Sequence, residues 1–188
     1  MIVVDGGSTD GTPQSALELC DQVIHSVKGR AVQMYAGARA AHGDALLFLH
    51  AETRLPSNAD LMVIEALARS AWGRFDVRIE GRHPLLPVVA AAMNLRSRLT
   101  GIATGDQAIF VRRDAFHGFP EIALMEDIAF SAAMKERPAC LRQKALTSGR
   151  RWERGGVLRT VLLMWRLRFL YAVGVPPARL ARDYAERR

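Results

Sequence analysis

The chain has 188 residues, 49% of them apolar and 24% charged, a balance that suits one folded domain and excludes a disordered chain. Its net charge of +7 is confined: residues 1–149 hold 16 basic and 16 acidic side chains, whereas residues 150–188 hold 10 basic and 3 acidic. A neutral body with a basic C-terminal segment excludes a polyanion-coating protein, so nucleic acid is not an expected partner.

Strand and helix signals alternate along the chain. Residues 1–4 are an apolar run that reads as a strand ending at Asp5, followed by the turn-rich residues 6–11. Thr12 before Pro13 is an N-cap with proline at the first helical position, and predicts a helix to residue 21. Residues 23–27 suit a short strand, and the alanine-rich residues 30–41 a helix closed by Gly43. Residues 45–49 are uniformly apolar, as in a strand buried on both faces of a parallel sheet. Then come a helix over 58–70, a strand over 75–79, a helix over 84–99, a strand over 108–111, a helix over 125–136 and a strand over 140–146. Residues 157–173 form a long helix, which Pro176 and Pro177 separate from a final one over 178–186. This alternation predicts an α/β fold.

Cys20 and Cys140 stand far apart without a Cys/His cluster, so no zinc site is readable and a reducing, cytoplasmic setting is expected. Acidic Asp5 follows Met1 too closely for a secretory leader, and no apolar run reaches the ~18 residues of a membrane span.

Six stretches carry polar groups where chemistry is done. In VVDGGSTDGT (3–12), Asp5 ends a strand and the glycines allow close backbone approach to a ligand; a plain turn fits equally. In GRAVQMYAG (29–37), Arg30 opens a helix whose N-terminus favours phosphate, or is simply solvated. In LLFLHAET (46–53), His50 and Glu52 are expected on one side of a strand end. There they suit Mg²⁺ or Mn²⁺ already held by a diphosphate, or form an ordinary polar edge. Asp106 and Gln107 precede a strand, where they suit a hydroxylated acceptor. In LMEDIAF (124–130), Glu126 and Asp127 fall in a first helical turn, either as a general base or as complements of the helix dipole. In SGRRWERGG (148–156), Arg150, Arg151 and Arg154 with Trp152 read as a flap over a diphosphate, or as a basic loop with one docking tryptophan.

In this order and spacing the six stretches resemble family 2 glycosyltransferases of the GT-A fold, nearest a bacterial subgroup with a FLHADT-type strand end and an RRWE segment. The resemblance implies a Rossmann-like, mostly parallel sheet flanked by helices, with C-terminal helices. Residues 1–149 would form the nucleotide-sugar-binding and acceptor part, and 150–188 a basic flap and helical extension of the same domain. It implies an inverting enzyme that moves a sugar from a nucleotide-diphosphate sugar to a hydroxyl acceptor, lipid-linked in many relatives, with a divalent cation.

Carried over, Asp5 contacts the nucleoside, Ser8 and Asp10 shape that pocket, and Gly29 and Arg30 lie beside base and ribose. His50–Ala51–Glu52 occupies the metal-binding DXD position, with Glu52 reaching metal and diphosphate. Asp106 and Gln107 line the acceptor side, and Asp127 is the base with Glu126 beside it. Arg151 and Trp152 close over the diphosphate. Glu52 stands where aspartate is usual, and Tyr35 where the subgroup tends to have asparagine. The resemblance also implies a further strand and helix ahead of residue 1, and hence an upstream start or a decayed gene. The alternative is a non-catalytic module that docks on a membrane or partner through residues 150–188. There Leu158, Val161, Leu162, Trp165, Phe169 and Ala172 share one helix face, Leu163, Leu167 and Leu170 the other, and Arg159, Arg166 and Arg168 the flanks. Such a helix packs on two sides, or lies at the cytoplasmic face of the inner membrane with its arginines reaching headgroups.

Overall fold

A computed structural model describes residues 1–186. β1 (Ile2–Asp5) and β2 (Gln22–His25) pair in parallel, joined through the short helix α1 (Thr12–Leu17). α2 (Arg30–Ala40) leads to β3 (Ala45–Leu47), then β4 (Thr53–Arg54), α3 (Ala59–Leu67), β5 (Trp72–Glu80) and α4 (Leu86–Thr100). A 3₁₀ turn (Gly105–Gln107) precedes β6 (Phe110–Arg112), and α5 (Glu126–Ala133) precedes β7 (Ala139–Ser148). α6 (Arg150–Gly155), α7 (Val157–Ala172) and α8 (Pro177–Glu186) complete the described chain.

The α/β class holds, but the sheet is mixed rather than mostly parallel. Five strands pair in the order β3-β6-β5-β7-β4, with only β5 and β7 parallel. β6 enters from the 3₁₀ turn and runs antiparallel to both β3 and β5, and β4 runs antiparallel to β7. β1 and β2 form a sheet of their own. The apolar run at 45–49 is a strand only to Leu47, with Leu46 buried and Ala45 and Leu49 exposed, so it lacks the two covered faces of a parallel-sheet strand.

α4 shows how sequence spacing sets packing. Leu86, Ala90, Asn94 and Ser97 form its buried stripe. The two polar members serve β5. Asn94 Oδ1 accepts the Val77 N–H at 2.8 Å and its Nδ2 donates to the Val77 carbonyl at 3.0 Å, while Ser97 Oγ accepts from Arg74 Nε at 3.1 Å. Arg74 is fully buried, tolerable because it is ion-paired to Asp76 and also donates to the Asn94 carbonyl. Arg98 completes that group by a two-pronged contact with Asp76 at 2.7 and 3.0 Å.

Three apolar clusters surround the five-stranded sheet, anchored by Trp72 and Phe130, by Phe75 and Phe110, and by Val77 and Leu86. A fourth lies outside it. Leu167 of α7 and Leu180 and Tyr184 of α8 pack on Met125, the residue before α5. The C-terminal helices are thereby fixed to the start of the helix that carries Glu126 and Asp127.

Candidate functional site

Asp5 is buried at the end of β1, and its carboxylate accepts the backbone N–H groups of Gly7 at 2.9 Å and Ser8 at 3.0 Å. Hydrogen bonds from Ser8 and Gly7, with the nearby His25, hold its pKa below the ordinary carboxylate value against the opposing effect of burial. In this state Asp5 shapes its own glycine loop. Asp10 does the same one turn on, accepting from the Thr12 hydroxyl at 2.5 Å, and Ser8 is exposed. Gln33, which sequence reasoning missed, ties this loop to α2: it donates to the Val4 carbonyl at 3.1 Å and accepts from the Gly29 N–H at 3.3 Å. Its place in the first turn of α2, beside the glycine loop, was the available signal.

Arg30 is exposed, yet it reaches a buried partner. Its Nη1 lies 3.5 Å from Oε1 of the buried Glu126, joining the first and last of the chemistry-bearing helix starts. Burial, then the neighbouring Asp127 charge, pushes the Glu126 pKa up, and Arg30 opposes that rise.

Asp127 is held by two backbone donors: the Gly105 N–H reaches Oδ2 at 3.0 Å and the Ile128 N–H reaches Oδ1 at 2.8 Å. The residue before the pair, Met125, takes a left-handed backbone conformation (φ 72°) that a side chain seldom adopts. His50 packs on Gly105 and places Nδ1 3.3 Å from Asp106 Oδ1. Burial would raise the Asp106 pKa, but the His50 hydrogen bond and charge, followed by Arg30 and Arg151, outweigh it and hold the carboxyl low. Asp127, Gly105, Asp106, His50, Glu126 and Arg30 thus form one linked group drawn from four separate stretches.

The other expected site residues sit differently. Gln107 is fully buried and does not face an acceptor: Oε1 accepts the Thr104 N–H at 3.1 Å and Nε2 donates to Asn94 at 3.3 Å. This closed hydrogen-bonding leaves it a structural link between the 3₁₀ turn and α4. His50 and Glu52 do not share a strand face, because β3 stops at Leu47 and a turn intervenes; Glu52 points to Arg150 at 3.6 Å. The flap is a helix rather than a loop. Trp152 of α6 is half-buried against the Val77–Leu86 cluster. Glu153 accepts the backbone N–H groups of Arg82 and His83, which latches α6 to the turn after β5. Arg151 lies over the Tyr184 ring, 4.9 Å from its centroid.

Among the described residues no group of three His, Cys, Asp or Glu side chains is placed to hold a metal ion. Mg²⁺ and Mn²⁺ commonly take one or two protein carboxylates and complete their shell with substrate phosphate oxygens and water. Half-exposed Glu52 supplies one such carboxylate, so the residues fit a substrate-completed ion.

On α7 one face is packed and the other open. Leu163, Leu167 and Leu170 join the Met125 cluster, while Leu158, Leu162, Trp165 and Phe169 are each about two-thirds exposed (66, 65, 69 and 66%). No helix among the described residues is long and apolar enough to cross a membrane.

Residues 1–120 match the family described as glycosyl transferase family 2. No curated protein sequence matches the chain. Among solved structures, the chain is similar to the mannosyltransferase PcManGT from Pyrobaculum calidifontis in complex with GDP-Man and Mn²⁺, at TM-score 0.58 and 19% identity over 99% of this chain and 59% of that one. It is also similar to S. aureus TarS 1-349, at TM-score 0.55 and 18% identity over 79% of this chain and 50% of that one. The chain therefore spans a little over half the length of the first of these structures and matches half of the second.

Proposed function

Because this chain belongs to glycosyl transferase family 2, we propose that it moves a sugar from a nucleotide-diphosphate sugar to a hydroxyl acceptor by one inverting displacement, with Asp127 as base. The observation that carries this reading is the Asp127 carboxylate at the head of α5, oriented by the Gly105 N–H in the group that also holds His50, Asp106, Glu126 and Arg30. In the step, Asp127 takes the acceptor hydroxyl proton, the acceptor oxygen bonds the anomeric carbon, and the bond from that carbon to the diphosphate breaks. The diphosphate leaves with the electron pair. Arg30, Arg150 and Arg151 are the nearby cations that offset its charge. Glu52 would hold the divalent cation, which adds further charge neutralisation when bound. The glycine loop after Asp5, with Ser8, Asp10 and Gly29, would receive the nucleoside.

The test is calorimetric titration with GDP and UDP, with and without Mn²⁺, followed by transfer assays; GDP comes first because a similar structure holds GDP-Man. Binding of either nucleotide, and transfer lost in Asp127→Asn, supports the reading. Absence of binding to both overturns it.

The open face of α7 favours a second reading, docking on an anionic lipid surface. Exposed Leu158, Leu162, Trp165 and Phe169 are flanked by Arg159 and Arg166 in the segment that holds the whole net positive charge. A lipid-linked acceptor would reconcile the two readings, with the chain at the cytoplasmic membrane face. Flotation with phosphatidylglycerol vesicles, against phosphatidylcholine alone, tests it; no binding to either overturns it.

A further inference from the structure

The helix α6 and the last helix α8 meet at one aromatic ring. α6 is anchored twice: Trp152 is half-buried against the Val77–Leu86 cluster, and Glu153 accepts the backbone N–H groups of Arg82 and His83. Successive helical residues point about 100° apart, so Arg150 and Arg151 leave α6 in directions other than that of Trp152. Both arginines are exposed, and they reach different partners. Arg150 stands 3.6 Å from Glu52, whereas the Arg151 guanidinium lies 4.9 Å from the centroid of the Tyr184 ring.

Tyr184 is only 9% exposed and lies one turn after Leu180 on α8, so both face the cluster that holds Met125 and Leu167. Its hydroxyl is inaccessible to solvent and has no hydrogen-bond partner among the described residues, which leaves the ring as the part of the side chain at work. That ring belongs to the apolar cluster behind the head of α5 and also meets the guanidinium from α6. An aromatic face holds an arginine without cancelling its charge, whereas a carboxylate such as Glu52 beside Arg150 offsets it. An exposed arginine otherwise spreads over many rotamers, and a cation that must be in place when negative charge develops acts best when it is held beforehand.

We propose that Tyr184 is a positioning residue: its ring sets Arg151 where the leaving diphosphate gathers negative charge, from the same cluster that braces Met125 ahead of Glu126 and Asp127. The inference rests on the glycosyl-transfer reading, in which Arg151 faces the diphosphate, and adds the residue that holds it there. Breaking the bond to the anomeric carbon leaves one further negative charge on the diphosphate, so a nucleoside diphosphate carries a charge that the intact donor lacks. A guanidinium placed in advance then favours the nucleoside diphosphate over the nucleotide sugar. A ring that only packed α8 would affect both ligands alike.

The experiment titrates the full chain with GDP and GDP-mannose, and with UDP and UDP-glucose, each in the presence of Mn²⁺. For the nucleotide that binds, Tyr184→Leu is expected to weaken the diphosphate about three- to fivefold and the nucleotide sugar less than about twofold. Tyr184→Phe, which keeps the ring and drops the hydroxyl, should bind as the native chain does. In an Arg151→Gln background, Tyr184→Leu should cost nothing further. If Tyr184→Leu fails to fold, ring-fluorinated phenylalanine at position 184 takes its place: fluorine keeps the burial and weakens the face, so diphosphate affinity should fall with each fluorine added. Equal diphosphate affinity in the native and Tyr184→Leu chains, the same loss whether or not Arg151 is present, or an equal loss for diphosphate and nucleotide sugar overturns the proposal. GDP or UDP binding that is indifferent to the ring defeats this inference alone, whereas a native chain that binds neither nucleotide defeats the glycosyl-transfer reading and this inference with it.

Discussion

The Gly105 N–H donates to Asp127 Oδ2 at 3.0 Å while the His50 ring packs on the same glycine. A Cβ at position 105 would lie 2.3 Å from the His50 ring, so no side chain fits without moving the imidazole. Gly105→Ala is expected to shift His50 and loosen the hold on Asp127. Transfer should fall by about a hundredfold, the scale of a small misplacement of a reacting group. GDP affinity should change far less. Steady-state transfer beside calorimetry reads both.

Asp127→Asn keeps the shape of the side chain and removes the proton acceptor. Transfer is expected to fall by about 10²–10⁴-fold, the usual contribution of a general base. A thermal melt should fall only modestly, because an amide oxygen still accepts the Gly105 N–H while the Ile128 N–H loses its acceptor. A variant that retained native rates would exclude Asp127 as the base.

Glu126 makes stability depend on pH in a direction opposite to that of most carboxylates. Its folded pKa is raised above the ordinary 4.5 by burial and by Asp127. The folded state then binds the proton more tightly than the unfolded one, and its contribution falls as pH rises from 4.5 through the raised value. Asp106, held low through His50, works the other way and weakens the fold as pH drops below 3.8. Glu126→Gln should therefore gain in Tm relative to the native chain as pH rises through this window. A difference that does not vary with pH would contradict the assignment.

Glu52 faces Arg150 at 3.6 Å. Glu52→Ala is expected to abolish the strengthening of GDP binding by Mn²⁺ while leaving metal-free GDP affinity intact or raised, since Arg150 is then free to meet phosphate. Paired titrations with and without Mn²⁺ measure this.

Trp152 and Glu153 decide whether α6 stays on the body. Trp152→Ala removes a half-buried indole from the Val77–Leu86 cluster and should cost about 2 kcal/mol in urea unfolding. Glu153→Ala, which frees the Arg82 and His83 N–H groups near the surface, should cost about 1 kcal/mol.

Local signals made much of the fold legible. Gly29–Arg30 marked the start of α2, and alternation marked part of β5. What local sequence did not carry was direction and partnership. The antiparallel entry of β6 depends on the 3₁₀ turn at Gly105–Gln107, whose capping involves Thr104 and Gln107 acting on each other. A charged residue within a strand reads as solvent-facing, so the burial of Arg74 is visible only with Asp76, Ser97 and Asn94 around it. Glu126 and Asp127 were legible as an acidic helix start, but the Arg30 contact bridges 96 positions and no spacing rule reports it. The resemblance puts Gln107 on the acceptor side with Asp106, yet adjacent residues in a tight turn point in different directions.

Leu167, Leu180 and Tyr184 support the strained Met125 that aims Glu126 and Asp127. The family match ends at residue 120, so the carboxylates and the helices that brace them both lie past it. Shortening the chain from its C-terminus would then uncouple recognition from turnover. A chain lacking α8 retains the segments assigned to the nucleotide but loses the abutment against which the base is set, and its defect would be one of rate before it became one of affinity.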